Sequence, residues 1–387
     1  MSQLSIRAEF KKDEKRTALD LPCNDYSIDI ALQTLGETDM TKTNQFCAHL
    51  GGDVLELTNQ IDRFIDIDEL NYLAKRLDSF DDREMNQFKA AVMATNATEL
   101  KDMINLTFNL HDYTLITDFS DTAKIGRMHR LNVEGCIPME SDDSYDYRTL
   151  GESVLASDTK TVTPYGVLVE NGLSTEELYN GQTFPQYLYE DCVMCVSVGH
   201  EENDEYLYMP CTKSAINRAV HRLGADTIED CKLTGIDSCL QLGWLDKLCP
   251  NYSAADIPEL NDLCSVLTEL DLKDTTVFDK LVAVCDFAEV QDFEKAYNIA
   301  DNIDIFDFAE GALDEDDLGK YLIKESGHYA YDDALDEYYD YEALGADTVS
   351  NQGGKFTEYG YVGIRDDITL DEILGEEENE DMTMGGM

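Results

Sequence analysis

Basic residues are scarce in this chain: 29 Lys plus Arg stand against 81 Asp plus Glu, a formal net charge of −52 over 387 residues. A molecule so charged repels other polyanions, which excludes nucleic acid and acidic membrane as direct partners. Long apolar runs are missing too, and no segment is long enough to span a bilayer. The opening residues alternate like a strand and continue into Lys11-Lys12-Asp13-Glu14-Lys15-Arg16, which is not the basic-then-apolar pattern of a leader. Eleven cysteines, an odd number scattered through apolar stretches, suit free thiols in a reducing compartment better than a disulfide framework. The expected setting is the cytoplasm.

Catalytic signatures are equally absent. The chain has no GxSxG, no Gly-rich phosphate loop with its Lys, and no His-Glu-x-x-His. Six histidines (His49, His111, His129, His200, His221 and His328) are scattered and share no repeated setting. Cys192-Val193-Met194-Cys195 has the spacing of half a zinc site but lacks the other half, and reads as a buried strand. Asp314-Glu315-Asp316-Asp317-Leu318-Gly319, with Glu325 at the twelfth position, imitates a calcium loop but puts Leu318 where an oxygen ligand belongs. No enzyme, cofactor, metal site or catalytic residue is expected.

Repetition is what the chain does have. Tyr145-Asp146-Tyr147-Arg148-Thr149-Leu150-Gly151 returns as Tyr339-Asp340-Tyr341-Glu342-Ala343-Leu344-Gly345, displaced by 339 − 145 = 194 residues. Pro22-Cys23 with Leu35-Gly36 returns as Pro210-Cys211 with Leu223-Gly224. Leu70-Asn71, Leu73, Leu77 and Phe88 return as Leu260-Asn261, Leu263, Leu267 and Phe278, and Tyr165-Gly166 returns as Tyr359-Gly360. The order is kept throughout, so a tandem duplication is the first reading. Hydrophobic residues make up 43% of the chain, enough to fill a core in each copy.

Each copy predicts an α+β unit of three parts. A strand over 4–10 or 193–198 is followed by a helix carrying Ile28, Ala31, Leu32 and Leu35 and closed by Gly36, or by its counterpart closed by Gly224. A short-helix bundle comes next, with stripes at Leu70, Leu73, Ala74 and Leu77, then Met85, Phe88 and Val92, then Leu100, Met103 and Ile104. In copy two the stripes are Leu260, Leu263, Cys264 and Leu267, then Val277, Leu281 and Val284, then Val290, Phe293 and Tyr297. A small mixed closing domain holds the tyrosine motif and strands at 165–169 and 359–363. The expected domains are residues 1–171, a linker at 172–190 in which residues 175–178 can form a helical turn, residues 191–365, and an acidic mobile tail at 366–387.

The carboxylates are distributed along the helical blocks. Asp62, Asp66, Asp68, Glu69, Asp78, Asp81, Asp82 and Glu84 in copy one, and Asp256, Glu259, Asp262, Glu269, Asp271, Asp274 and Asp279 in copy two, flank the apolar stripes and are expected on solvated faces. Asp332, Asp333, Asp336, Glu337, Asp340 and Glu342 add a terminal acidic stretch, in which Tyr338, Tyr339 and Tyr341 are core or rim. Carboxylates one helical turn apart have a spacing comparable to that of successive phosphates. Duplex DNA carries one charge per about 1.7 Å, so 52 net charges match roughly 26 base pairs. Self-repulsion of this size destabilises a compact fold, and a strongly basic cleft is its natural counterpart.

Leu70-Asn71-Tyr72-Leu73-Ala74 through Leu77, with Glu84 and Phe88, resembles the antirestriction motif of the ArdA family. Tyr339 to Gly345, then Gly353-Gly354-Lys355-Phe356-Thr357-Glu358-Tyr359-Gly360-Tyr361-Val362, is similar to that family's C-terminal segment. The resemblance covers both copies. It implies elongated three-domain units that imitate bent B-form DNA, and a non-catalytic inhibitor, encoded by a mobile element, that fills the DNA groove of Type I restriction-modification enzymes or another defence protein. Family members pair as homodimers, so two fused units imply an intramolecular pseudo-dimer or a further homodimer. Copy one departs from the pattern at Arg148-Thr149 and adds Lys124, Arg127, His129 and Arg130, so the copies are not expected to contribute equally. The alternative reading is an acidic chaperone that sequesters basic DNA-binding proteins, binding many of them loosely rather than one groove at a fixed stoichiometry. A third, a calcium-responsive protein built on Asp314 to Glu325, predicts stabilisation by calcium and not magnesium.

Overall fold

The computed structural model describes residues 4–142, 144–238, 240, 242–270, 274–365 and 368–375. Its chain contacts divide it into two compact units. One is Met1–Glu190 with Gly199–Tyr206 and Thr212–Thr227; the other is Asp191–Val198, Leu207–Cys211 and Ile228–Met387. No described helix is long and apolar enough to cross a membrane.

The first unit opens with β1 (Ile6–Lys12) and β2 (Lys15–Leu21), then α1 (Asp25–Leu35), β3 (Asn44–Gly52) and β4 (Arg63–Asp66). The strands form one antiparallel sheet in the order β2-β1-β3-β4. Alternation in β1 buries Ile6, Ala8 and Phe10 and turns Arg7, Glu9 and Lys11 away from the core. Asn24 caps α1 through Ser27 N, and Gly36, in the left-handed region, ends it at the predicted place.

Next come α2 (Ile67–Asp78), α3 (Asp82–Thr95) and α4 (Leu100–Phe108). Their stripes are the ones read from the sequence, with Leu70, Leu73, Leu77, Phe88, Met103 and Ile104 almost completely buried. The closing part has β5 (Tyr113–Ile116), α5 (Thr122–Glu134), α6 (Met139–Asp142), α7 (Tyr147–Ala156), β6 (Lys160–Thr163) and β7 (Gly166–Glu170), with the sheet ordered β5-β7-β6. Ile116, Ile125, Val154 and Val169 form its core. Gly126 and Gly151 let α5 and α7 touch: a Cβ on Gly126 would strike the carbonyl oxygen of Tyr147, and one on Gly151 that of Thr122.

Residues 172–190, read as a linker, pack along this helical block, and the helical turn expected at 175–178 does not form. Asn105 Nδ2 donates to Tyr179 O at 2.9 Å, and Tyr72 Oη donates to Pro185 O at 2.8 Å. Tyr72 and Tyr179 each stack on Phe184, with centroids 4.8 and 5.2 Å away.

Elements β8 (Met194–His200), α8 (Lys213–Leu223) and β9 (Asn203–Met209) follow, and β8 and β9 join β10 (Lys232–Ser238) in the order β10-β8-β9. Cys195 is buried in β8, as the strand reading of its segment predicts, whereas Cys192 lies ahead of the strand and is only partly covered. The second unit holds α9 (Leu242–Leu248), α10 (Ile257–Leu267), α11 (Thr275–Phe287) and α12 (Phe293–Asp301). Its closing part has β11 (Phe306–Glu310), α13 (Glu315–Lys324), α14 (Tyr341–Gln352), β12 (Lys355–Phe356) and β13 (Gly360–Ile364), with the sheet ordered β11-β13-β12. The short α15 (Leu370–Leu374) buries Ile373 and Leu374 and accepts Asn298 Nδ2 at Leu374 O. Of residues 366–387, expected to be a mobile tail, Leu370–Leu374 are this helix, and residues 366, 367 and 376–387 lie outside the described residues.

Details recur between the units. In the first, the peptide bond before Pro22 is cis, Asn71 Oδ1 accepts Cys23 N at 2.9 Å, and Asn71 Nδ2 donates to Cys23 O at 2.9 Å. In the second, the bond before Pro210 is cis, and Asn261 makes the same pair of bonds to Cys211 at 2.8 and 3.0 Å. Gly319 and Gly345 face the carbonyls of Tyr341 and Glu315 in the second unit, as Gly126 and Gly151 face those of Tyr147 and Thr122 in the first. Thr357 Oγ1 donates to Gly360 O at 2.8 Å, as Thr163 Oγ1 does to Gly166 O at 2.9 Å.

Candidate functional site

The acidic surface begins at helix N-termini, where backbone N–H groups lack partners and short carboxylates satisfy them. Asp81 caps α3 in a reciprocal box with Glu84, at 2.7 and 3.0 Å. Asp274 caps α11, Asp340 caps α14, Asp332 caps a short 3-10 turn at Asp333–Tyr338, and Asp256 closes a box with Ser253 ahead of α10. A capping carboxylate is also favoured by the positive end of the helix, so these charges are held in fixed positions. Asp78 accepts Leu4 N at 3.1 Å.

Of the carboxylates expected on solvated faces, Asp62, Asp78, Asp81, Asp82, Glu259, Asp262, Glu269, Asp274, Asp332, Asp333, Glu337, Asp340 and Glu342 are exposed. Glu84, Asp256, Asp279 and Asp336 are partly covered. Asp271 lies outside the described residues. Asp336 has three donors, Lys324 Nζ at 2.7 Å, Tyr331 Oη at 2.8 Å and Tyr341 Oη at 2.6 Å, which hold its carboxyl far below the usual range. Tyr341 is buried and Tyr338 is 83% exposed, so the tyrosines divide between core and rim. Burial and then the neighbouring Asp256 and Glu294 raise the Glu259 carboxyl.

Asp66, Asp68 and Glu69 were expected on a solvated face and turn inward instead. Asp66 caps α2 through Glu69 N and accepts Thr43 Oγ1 at 2.5 Å. Asp68 is bound by two arginines of α8, Arg218 Nε at 3.0 Å and Arg222 Nη1 at 2.7 Å. Arg218, with only 2% of its side chain exposed, also meets Asp29 at 2.7 Å and Asp25 at 3.0 Å. Arg222 continues to Glu205 at 3.2 Å and lies over the Phe184 ring at 4.8 Å. Burial opposes charge on Arg218, and Asp68, Asp25 and Asp29 outweigh it, leaving the guanidinium more firmly protonated than usual. Glu69 is pushed up to about 7 by burial and then by Asp66, against a hydrogen bond from Tyr179.

This cluster was not anticipated from the sequence, although Arg218-x-x-x-Arg222 on an amphipathic helix is a visible anomaly in so acidic a chain. The calcium-loop imitation resolves differently: Asp314 caps α13 through Asp317 N at 2.9 Å, and residues 315–324 are helix. No group of three or more His, Cys, Asp or Glu that could hold a metal occurs among the described residues. In the first unit, Arg130 lies over Tyr145 at 4.3 Å and bonds Glu134 and Tyr147, so the added bases of α5 are partly internal supports.

A family model of the antirestriction protein ArdA matches residues 199–363, about 43% of the chain. The match supports an antirestriction role in general terms. No curated protein matches the chain.

Proposed function

We propose that the chain is a tandem of two ArdA-like units acting in the cytoplasm as an acidic inhibitor of Type I restriction-modification enzymes. In this reading its exposed carboxylates occupy the basic groove that otherwise holds DNA. The observation that carries the reading is the family match over residues 199–363. Support for a second unit comes from bond-for-bond repetition outside the matched segment: Asn71 on Cys23 as Asn261 on Cys211, and Gly126 against Tyr147 as Gly319 against Tyr341. The groups offered to the partner are the exposed ones, Asp62, Asp78, Asp81, Asp82, Glu259, Asp262, Glu269, Asp274, Asp332, Asp333, Glu337, Asp340 and Glu342. A DNA groove reads phosphate for position rather than sequence, so an array of fixed carboxylates is a sufficient imitation.

The test is displacement of labelled duplex DNA from a Type I methyltransferase core across a salt series. Stoichiometric displacement that weakens steeply with salt is expected. A variant with Asp82, Glu259, Asp262, Glu269, Glu337 and Glu342 changed to Lys avoids the capping residues. It should keep the parent's circular dichroism and lose displacement; undiminished displacement by this folded variant would sink the reading.

A further inference from the structure

The open face of the first sheet departs from the acidity of the rest. Residues 1–21 hold five bases and four acids, a local charge of +1 in a chain of −52. Register places Arg16 opposite Lys11, Lys11 opposite Phe46, and Phe46 opposite Phe64, so two bases and two aromatic rings form one row across four strands. Lys12 also faces Lys15. Like charges directly opposite one another destabilise a sheet, and two successive pairs of this kind are retained here. Glu9 takes Arg16 at 2.9 Å and Glu37 takes Lys12 at 2.5 Å.

Phe64 is 70% exposed and meets Phe46 edge to face, with centroids 5.5 Å apart and rings at 68°. Beside the pair is a cavity of about 450 Å³ lined by Lys11, Lys12, Asp13, Glu37, Asn44, Gln45, Phe46 and Phe64. The floor is built: Gln45, 3% exposed, donates Nε2 to Glu37 Oε1 at 2.9 Å and to Lys42 O at 2.8 Å. Three chemistries therefore meet in a ligand-sized space. Lys11 offers a cationic donor and Asp13 an anionic acceptor, Lys12 and Glu37 add a second cation and anion already paired with each other, and Phe64 offers an open ring face.

We propose that this cavity binds a nucleoside phosphate, with the phosphate on Lys11 and Lys12, the ribose hydroxyls or an exocyclic amine on Asp13, Glu37 or Asn44, and the base on Phe64. A simple acidic ligand would leave Asp13 opposed, and an apolar one would leave Lys11 unused. A nucleic-acid strand would meet the field of the whole chain, whereas a mononucleotide brings little charge and is shielded within about 8 Å at physiological salt. The site is independent of the inhibitory reading and stands or falls apart from it.

Calorimetric titration of the full chain with AMP tests it, with adenosine and inorganic phosphate as separate arms. Saturable binding of one AMP is expected, with each half-ligand weaker. Phe64→Ala at the surface and Lys11→Gln at a half-buried position should each weaken AMP about ten-fold, for Phe64 within the range for loss of one base–aromatic stack, while Lys11→Arg retains it. Absence of AMP binding at millimolar concentration overturns the proposal, as does phosphate binding as well as AMP or unchanged affinity in both weakening variants. Tighter binding of a short single-stranded oligonucleotide than of AMP would overturn the mononucleotide assignment.

Discussion

Replacing Arg218 by Met should cost the first unit about 3–5 kcal/mol, the range for removing one partner from a buried ionic cluster. The side chain is 2% exposed and serves Asp25, Asp29 and Asp68 at 3.0, 2.7 and 3.0 Å. Each such contact is worth about 4 kcal/mol at an effective dielectric near 20, and the gross sum is reduced by the cost of taking the guanidinium out of water. Methionine fills much of the volume but leaves Asp29 without the Arg218 cation, Asp25 with the attraction of Lys75, and Asp68 with Arg222. The assay is urea unfolding followed by circular dichroism, with fluorescence of the single tryptophan, Trp244, as a local reporter in the second unit. Because Arg218 is buried, the loss should persist in high salt, unlike the effect of breaking an exposed pair. A double-mutant cycle with Asp29→Asn should give a coupling of at least about 1 kcal/mol. A fall of less than about 1 kcal/mol for Arg218→Met would refute the reading of Arg218 as the cation that stabilises the buried cluster.

Glu69 supplies a pH dependence. Its carboxyl is raised from 4.5 to about 7, so the folded state keeps a proton that the unfolded chain has released. The resulting stability is full below 4.5 and disappears as pH rises through 7. Discounted for partial exposure, it amounts to roughly 1–2 kcal/mol; Glu69→Gln should therefore exceed the parent at pH 8 by about that much and match it at pH 4, in thermal or urea unfolding. Asn71→Ala and Asn261→Ala should each cost about 1–3 kcal/mol, because both bonds to the backbone of Cys23 or Cys211 vanish; markedly unequal losses would argue against equivalent roles. Gly319→Ala drives a methyl group into the Tyr341 carbonyl and should destabilise the second unit by about 1–3 kcal/mol in the same assay.

What was legible in the sequence was periodic. The strand expected over 4–10 runs from Ile6 to Lys12 and its counterpart at 193–198 from Met194 to His200. The helix expected to end at Gly36 ends there, because apolar spacing and a left-handed glycine are both local signals. Gly151 and Gly345 stood out as repeated letters, but their reason, two helix backbones in contact, is a tertiary fact. The inward turn of Asp68 was illegible for the same cause. On its own helix it occupies the first turn, where an acidic residue is ordinarily solvated, and the two arginines that bind it come from α8, about 150 residues later in the chain. Residues 172–190 read as a linker because they lack periodicity, yet Phe184 stacks on both Tyr179 and Tyr72 of α2, and Tyr187 donates to Lys75 O of the same helix.

A surface of carboxylates is stable only if the charges find local compensation, and the chain uses two devices with opposite consequences for a partner. Where the compensation is a helix N-terminus, as at Asp81, Asp274 and Asp340, the carboxylate is oriented by backbone N–H groups and keeps its outer oxygen available. Where it is an arginine or lysine, as at Asp68 and Asp336, the charge is consumed within the molecule. The acids able to meet a basic groove are therefore a geometric subset, and sequence counting overstates them. Substitution separates the two kinds. Asp81→Asn keeps an acceptor for the helix end and removes the charge, so it should weaken partner binding with little loss of stability. Asp68→Asn should lower stability and leave binding by the folded protein unchanged. The reverse result would mean that the buried cluster, not the exposed rim, faces the partner.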